Sequence, residues 1–285
     1  MKSAPFVRYA PRTVREATDM LAEVGPKDGR ILAGGQSLVP IMAFRLARPA
    51  HLVDINGVTQ LERVSRVDDI LSIGAVVRHA AFHRPAVGGQ MGRLLATVVR
   101  HIAHYPIRMR GTFCGSIAHA DPASEWCLLA ATLSAQMVVA NKRGQRVIEV
   151  DDFFQGIMTT VLAEDEILTE VRVPIISDQT RFGFHEFNRR AGDFGIAMAL
   201  VTYRLADGVI AEPRVGIGGA EAHPRRIAEA EAMLKGRLPE PKTFQAAAQA
   251  AADAVNPIED IQADAVYRRD LVRAVTRRAL EQSAS

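Results

Sequence analysis

Apolar residues recur at regular spacings along the N-terminal part of the chain. Within residues 13–24 they return every three or four positions, which predicts an amphipathic helix with Thr13 as its N-cap. The apolar positions are Val14, Ala17, Leu21 and Val24. Gly25 and Pro26 come next and predict the end of this helix.

Two turns built from small residues follow. Residues 30–33 predict a short buried strand, AGGQS (residues 33–37) predicts a turn, and residues 38–47 predict a helix. A second small-residue stretch, GTFCGS (residues 111–116), precedes a helix predicted over residues 124–133. The chain therefore carries two turns of the same kind.

The other periodic segments complete the predicted order of elements. They are strands at residues 51–55 and 70–77, a helix over residues 91–104 that ends before Pro106, a hairpin around residues 142–144, and a strand over residues 166–174. The polar, turn-rich residues 176–184 predict a domain boundary near residue 175. Beyond it, the pattern predicts a small antiparallel sheet backed by helices over residues 243–254 and 264–281.

Composition and charge narrow the class of protein. Of the 285 residues, 48% are hydrophobic and 24% are charged, which is typical of a folded soluble protein. The net charge of +3 comes from scattered basic residues without interleaved aromatic residues, so we expect no nucleic-acid partner. No apolar run approaches the roughly 18 residues that a membrane span requires. We therefore expect a cytoplasmic protein with no membrane span.

The cysteine count limits the redox chemistry that this chain can perform alone. Cys114 and Cys127 are its two cysteines, whereas an iron–sulfur cluster takes four thiolates. We interpret both as small buried residues rather than as redox partners. If the protein handles electrons, the carrier is something other than its own iron–sulfur cluster.

The two small-residue turns are the strongest candidates for ligand binding. A run of main-chain amides without obstructing side chains binds phosphate oxygens, and serine or threonine hydroxyls add donors without bulk. A Gly-Gly pair after a strand is more often a plain turn, so AGGQS alone would be weak support. Two such turns could clamp the two phosphoryl groups of a diphosphate, and this predicts a dinucleotide ligand.

Four stretches resemble one known family. AGGQSLVP, IGAVVRH, RGTFCGSIAHADPASE and FHEFNRRAGDF look like the FAD-binding medium subunits of the molybdenum hydroxylases, the group of xanthine dehydrogenase and carbon monoxide dehydrogenase. The resemblance implies an α+β fold with a two-lobed PCMH-type FAD-binding domain over residues 1–175, its lobe boundary near residue 57. Residues 176–285 would form a small C-terminal domain of antiparallel sheet and helices, of the carbon monoxide dehydrogenase flavoprotein type.

The resemblance also implies a noncovalent FAD site. The positions that would hold the FAD diphosphate are Ala33, Gly34, Gly35, Gln36 and Ser37 in the first turn, with Thr112, Gly115 and Ser116 in the second. Glu125 matches an acidic position on the adenosine side, with Asp121 as a rival that could instead cap the next helix. Leu168 matches a position that offers main-chain contacts to the flavin ring.

Cys114 stands where many relatives have glycine, so the turn must keep an ordinary φ there or bear strain. Glu186 replaces a lysine common in relatives, and no contact is carried over.

The function implied by the resemblance is electron transfer within a larger complex. The molybdenum cofactor would lie on a large partner subunit and two [2Fe–2S] clusters on a small one, and the resemblance implies assembly as a dimer of heterotrimers. This chain would then need no catalytic residue, and its FAD would pass electrons to an external acceptor. The organic substrate stays open, with a slight preference for N-heterocycles.

Other interpretations of the sequence stay open at this stage. A stand-alone flavin oxidase acting on a small organic substrate would carry the same turns, and so would a non-enzymatic nucleotide-binding module. His79 and His83 have the spacing of a helical metal pair, but no glutamate accompanies them and they follow a strand, which disfavours a metal site. The stretch VGIGGA (residues 215–220) is interpreted as a tight strand end.

Overall fold

A small parallel sheet forms the N-terminal lobe of the computed structural model, which describes residues 2–284. Its elements are β1 (Val7–Tyr9), α1 (Val14–Val24), β2 (Gly29–Leu32), α2 (Leu38–Ala43) and β3 (His51–Asp54). Strand β3 is central and pairs in parallel with β1 and β2. Because parallel strands end at the same edge of a sheet, the first small-residue turn after β2 and the 3-10 helix Ile55–Gly57 after β3 emerge side by side.

Helix α1 begins and ends where the sequence predicts. The Thr13 hydroxyl accepts a hydrogen bond from the Glu16 amide (3.1 Å), and the Arg12 amide donates to the Glu16 carboxylate (2.8 Å). The first bond satisfies one of the amides that a helix start leaves free, and the second joins Glu16 to the residue before the cap. The apolar face of the helix, including Ala17 and Leu21, is buried in the core. The predicted N-cap is confirmed.

The second lobe is an antiparallel sheet with helices packed on it. Its strands are β4 (Val64–Val67), β5 (Ile70–Gly74), β6 (Gln136–Asn141), β7 (Gly144–Glu149), β8 (Phe154–Gly156), β9 (Thr159–Thr160) and β10 (Ile167–Pro174). Its helices are α3 (Gly89–Val98), α4 (Tyr105–Arg108), α5 (Phe113–His119), α6 (Glu125–Leu133) and α7 (Val150–Phe153). The main sheet has the order β4-β5-β10-β6-β7, and β8 and β9 form a separate ribbon.

One helix prediction in this lobe differs from the structure. The helix expected over residues 91–104 is shorter, since α3 ends at Val98, and Pro106 lies in the first turn of α4 instead of following a helix. Proline fits the first turn of a helix because the amide that it lacks has no partner there. Helix α6 is buried along its whole length, so its apolar residues face neighbours on every side.

The C-terminal part is an antiparallel sheet covered by three helices. Its elements are β11 (Arg181–Phe187), β12 (Ala197–Ala206), β13 (Val209–Gly218), β14 (Arg225–Arg226), α8 (Ala228–Leu234), α9 (Pro241–Ala254) and α10 (Ala265–Ala284). Alternate residues of β12 serve two cores: Met198 and Leu200 join the core of the first two lobes, while Ala199 and Val201 join that of the C-terminal helices. This sheet therefore lies between two hydrophobic clusters.

The predicted α+β class is confirmed by this arrangement of separate sheets and helices. The stretch VGIGGA indeed ends a strand, since β13 stops at Gly218 and Gly219 has a φ of 74°. Among the described residues, no helix has both the length and the apolar character needed to cross a bilayer.

Candidate functional site

The first small-residue turn presents free main-chain amides at the edge of the parallel sheet. Gly35 has a φ of 69°, a conformation that favours glycine, and its carbonyl accepts from the Val39 amide (3.0 Å) as α2 begins. Within the described residues, the four amides of residues 34–37 donate to no protein acceptor. Such a concave run of unpaired N–H groups can bind an anion.

The second turn is organised differently from the sequence expectation. It is the start of α5, and Thr112 is its N-cap, with the Thr112 hydroxyl accepting from the Gly115 amide (3.0 Å). The Phe113 amide donates to Val77, and the Ser116 amide to the Thr112 carbonyl. This turn is therefore not an open array of amides, because most of them are already hydrogen-bonded. Cys114 lies within the helix without positive φ, so it bears no strain.

The two turns meet at one cavity. A Cβ atom built on Gly34 would lie 2.5 Å from the Arg110 carbonyl oxygen and 2.7 Å from the Gly111 Cα, so this close approach requires glycine. The cavity has a volume of about 300 Å³. All eight turn residues singled out from the sequence line it: Ala33, Gly34, Gly35, Gln36, Ser37, Thr112, Gly115 and Ser116.

Two side chains from outside the turns, Asn56 and Arg78, connect the two turns by hydrogen bonds. The Asn56 amide group donates to the Ala33 carbonyl (2.8 Å), and its oxygen accepts from Arg78 (2.6 Å). Arg78 also donates to the Arg110 carbonyl, next to the second turn. Asn56 and Arg78 thus link one turn to the other. The sequence analysis interpreted Asn56 only as part of a turn, because nothing local indicates its long-range partners.

Asp54 stabilises the position of Asn56 in this link. Its carboxylate accepts from the Asn56 main-chain amide (3.1 Å) and side chain (2.6 Å), and from Arg8 of the neighbouring strand (2.6 Å). Burial by itself would raise the pKa of Asp54, but the hydrogen bonds from Arg8 and Asn56 bring it below its ordinary value. The carboxylate is therefore ionised at neutral pH and holds Asn56 in one orientation.

A second cavity of about 400 Å³ adjoins the first and contains Leu168. Both cavities are lined by Arg30, Ile31, Ala33, Gly115 and Ala118. The register of β10 shifts between Leu168 and Glu170, a bulge that interrupts regular pairing beside the cavity. Much of the remaining lining is apolar, including Ile55, Ala75, Leu162 and Ile167. The two cavities form one groove between the two lobes, with the two turns at one end and Leu168 at the other.

Glu125 lies apart from both cavities. It is buried in the first turn of α6, and burial together with the charge of Glu186 raises its pKa well above the ordinary value. The rival residue Asp121 does not cap α6, because Ser124 is the N-cap. Asp121 instead accepts from the Ala123 amide (2.9 Å) in the preceding turn. The structure therefore brings together nine of the ten sequence-selected residues around the groove and leaves Glu125 outside its lining.

Comparison with known proteins identifies the family. The sequence model described as the FAD-binding domain in molybdopterin dehydrogenase matches residues 4–176, and that of the CO dehydrogenase flavoprotein C-terminal domain matches residues 182–283. The chain belongs to the FAD-binding medium subunits of the molybdenum hydroxylases. The resemblance seen in the sequence is thereby confirmed, as is the presence of an FAD-binding domain.

Individual relatives match this medium subunit over nearly its whole length. It is 40% identical to the nicotine 6-hydroxylase medium subunit of Paenarthrobacter nicotinovorans, over 99% of this chain and 98% of that protein. Among solved structures, carbon monoxide dehydrogenase from Hydrogenophaga pseudoflava has a TM-score of 0.95 at 33% identity, covering 100% of this chain and 99% of that one. Quinoline 2-oxidoreductase from Pseudomonas putida 86 has a TM-score of 0.94 at 35% identity, covering 100% and 98%.

Arg30 and His79 are among the residues of the medium subunit's groove that the sequence analysis did not assign to the ligand. Arg30 lines both cavities, and His79 lines the first. Arg30 could have been suspected as a charged residue at the start of an otherwise apolar strand. The spacing of His79 and His83 drew attention to metal binding, yet the described residues contain no group of three or more histidine, cysteine or acidic side chains placed to hold a metal ion.

Proposed function

We propose that this chain is the electron-transfer flavoprotein subunit of a heterotrimeric molybdenum hydroxylase, passing electrons from [2Fe–2S] clusters on a partner subunit to an external acceptor. The observation that carries the proposal is the meeting of two separate turns at one cavity in a member of an FAD-binding family. FAD, when bound, supplies the redox chemistry, and the protein supplies binding and orientation.

The end of the groove at the two turns fits a diphosphate. The four free amides of residues 34–37 would donate to its oxygens, and the hydroxyls of Ser37 and Ser116 face the same cavity. Arg30 also lines this end; its guanidinium forms an ion pair with Asp28 (3.2 Å), and half of its side chain is exposed. The close approach of Gly34 to the second turn brings these donors onto one ligand.

The end of the groove at Leu168 fits a flat ring system. Its lining offers aliphatic side chains and the irregular main chain at Leu168, where a bulge leaves backbone groups outside regular pairing. Two adjoining cavities of about 300 and 400 Å³ lie within the range of small-molecule sites. We therefore assign Leu168 to the flavin end, and Thr112 and Gly115 to shaping the second turn. Glu125 lies outside both cavities, and its contact with the adenosine side of FAD stays a prediction.

Partner subunits would complete the electron path. The two cysteines are free and buried, so this chain cannot supply the four thiolates of an iron–sulfur cluster. Two free thiols are also in keeping with a reducing compartment such as the cytoplasm. We propose a large molybdenum subunit and a small iron–sulfur subunit as partners, assembled as a dimer of heterotrimers.

The names of several relatives favour an N-heterocyclic substrate for the complex. Besides nicotine 6-hydroxylase and quinoline 2-oxidoreductase, a caffeine dehydrogenase subunit from Pseudomonas sp. is 35% identical to this chain. Nicotine, quinoline and caffeine are all nitrogen heterocycles. We propose the same class here, with hydroxylation on the large subunit rather than on this chain.

Purification from the native host tests the assembly. We expect this chain to co-purify with a larger and a smaller subunit, and the complex to oxidise an N-heterocycle. A homogeneous single-chain flavoprotein that oxidises a small alcohol or amine would contradict the proposal and favour a stand-alone oxidase.

The recombinant full chain provides the second measurement. It should bind added FAD, show flavin absorption bands, release the flavin on acid denaturation, and oxidise no organic substrate alone. A chain that shows no flavin bands with excess FAD would contradict the proposal and favour a non-enzymatic module.

A further inference from the structure

His79 is buried beside the junction of the two turns. It begins the 3-10 helix His79–His83 and is 4% exposed. Its main-chain amide donates to the Gly111 carbonyl (3.0 Å), so its segment runs alongside the start of the second turn. The imidazole lines the first cavity. The proposed function makes no use of this side chain.

A hydrogen bond from Trp126 determines which ring nitrogen of His79 carries the proton. The indole Nε1–H lies 2.9 Å from His79 Nδ1. Because an indole nitrogen can only donate, Nδ1 must accept, and the proton of the neutral ring is therefore on Nε2. Burial, together with the positive charges of Arg108 and Arg78, lowers the pKa of His79 to about 3. The ring stays neutral with a fixed Nε2–H donor.

Trp126 is itself held firmly. It is fully buried, and its ring packs on Phe113 and Phe82 with centroid distances of 4.7 and 5.3 Å. A donor embedded in such a cluster cannot turn away, so the orientation of the imidazole is fixed as well.

The Nε2 atom faces the place where the two turns meet. A Cβ atom on Gly111 would lie 2.5 Å from this nitrogen, and one on Gly34 would lie 2.7 Å from the Gly111 Cα. The main chain of Gly111 therefore contacts both the His79 imidazole and the first turn, and it has no side chain to keep them apart. Within the described residues, Nε2 has no hydrogen-bond acceptor. Because the imidazole lines the first cavity, this free donor is open to an acceptor on a bound ligand.

We propose that His79 is a cofactor-binding residue whose Nε2–H donates to the diphosphate of FAD, with Trp126 as the residue that positions it. The inference rests on the proposed function, since it takes FAD as the ligand. Phosphate oxygens are acceptors only, so a ring fixed as a donor suits them and a ring in the other tautomer does not.

Calorimetric titration of the recombinant full chain with FAD, ADP and riboflavin tests the assignment. ADP keeps the diphosphate and lacks the flavin, whereas riboflavin keeps the flavin and lacks the diphosphate. We expect His79→Leu to weaken FAD and ADP binding about 10- to 100-fold, the range for a hydrogen bond to a charged group, and to leave riboflavin within about twofold. His79→Gln, which keeps a side-chain N–H, should restore part of the loss.

His83→Leu is the matched control, because it removes a histidine from the same short helix but lies outside both cavities. It should leave all three affinities within about twofold. An unchanged FAD affinity in His79→Leu, or an equal loss for riboflavin, would overturn the role of His79. Absence of FAD binding by the wild-type chain would instead overturn the proposed function, so the two failures are distinguishable.

Nitrogen NMR of the wild-type chain covers the case in which His79→Leu does not fold. With ¹⁵N-labelled histidine, His79 should show an unprotonated Nδ1 and a protonated Nε2, and the Nε2 signals should shift when ADP is added. A proton on Nδ1, or Nε2 signals that ADP leaves unchanged, would overturn the proposal.

Discussion

Glu125 and Glu186 form a buried acid pair that spans the FAD-binding domain and the C-terminal sheet. Glu125 begins α6 and Glu186 lies on β11, and burial together with the charge of Glu186 raises the pKa of Glu125 well above its usual range. One Glu186 oxygen accepts from Asn188 (3.0 Å); the other has no hydrogen-bond partner among the described residues and lies 3.7 Å from His101 Nδ1. Two neighbouring buried carboxyl groups cannot both ionise without cost.

This pair predicts that the protein loses stability as the pH rises. Burial raises the pKa of Glu186 to about 7, against the opposing hydrogen bond from Asn188 and an ordinary value of 4.5. Because the folded-state pKa is the higher one, its stabilising contribution is complete below pH 4.5 and is lost as the pH rises through 7. Glu186→Gln should therefore increase the free energy of unfolding at pH 8 by on the order of 2 kcal/mol, with little change near pH 4.5.

Urea unfolding of the full chain at both pH values measures the difference. The exposed Glu229 supplies the control, since Glu229→Gln should leave the pH dependence of the wild type unchanged. A Glu186→Gln variant that loses stability with pH as steeply as the wild type would contradict the assignment.

Gly34→Ala should abolish tight FAD binding. The added Cβ would lie 2.5 Å from the Arg110 carbonyl oxygen, so the two turns must separate and the diphosphate donors no longer converge. We expect an affinity loss of at least about 100-fold, measured by flavin fluorescence. Gly156→Ala is the control, because nothing lies within 4 Å of its Cβ position. Equal affinities in both variants would show that the turns need not touch.

Asn56→Ala should weaken FAD binding without unfolding the protein. It removes the hydrogen bonds that join the Ala33 carbonyl to Arg78, while the strands on either side keep their own pairing. We expect a loss of about 10-fold in affinity, corresponding to one or two hydrogen bonds. Asn188→Ala, far along the chain and directly after β11, is the comparison variant. A fully retained FAD affinity in Asn56→Ala would exclude a role for this link.

Both cysteines should be inert toward thiol reagents in the native protein. Burial raises the pKa of Cys127 to about 12, and it raises that of Cys114 further. Since the thiolate is the reacting form, Ellman's reagent at pH 8 should titrate neither thiol until denaturant is added, and then both. Ser65→Cys, at an exposed strand position, is the positive control. Rapid native labelling of the wild type would contradict this burial.

Local features of this protein could be predicted from the sequence because their causes are local. The cap at Thr13, the end of α1 and the strand–turn–helix order around residues 33–37 depend on residues a few positions apart. The two ligand turns were found for the same reason, since small residues mark a backbone that approaches something closely. The length of α3 was overestimated because apolar spacing continues past the residue where tertiary packing ends the helix.

Tertiary structure alone decided what these local features do together. Asn56 joins the turns because β2 and β3 end at the same sheet edge, and its partners Ala33 and Arg78 are distant along the chain. The hydrogen bond from Trp126 fixes His79 as a donor. Glu125 is buried and interacts with Glu186 of another sheet. Hydrogen-bond partners and burial are properties of the folded chain, so no spacing within one segment could indicate them.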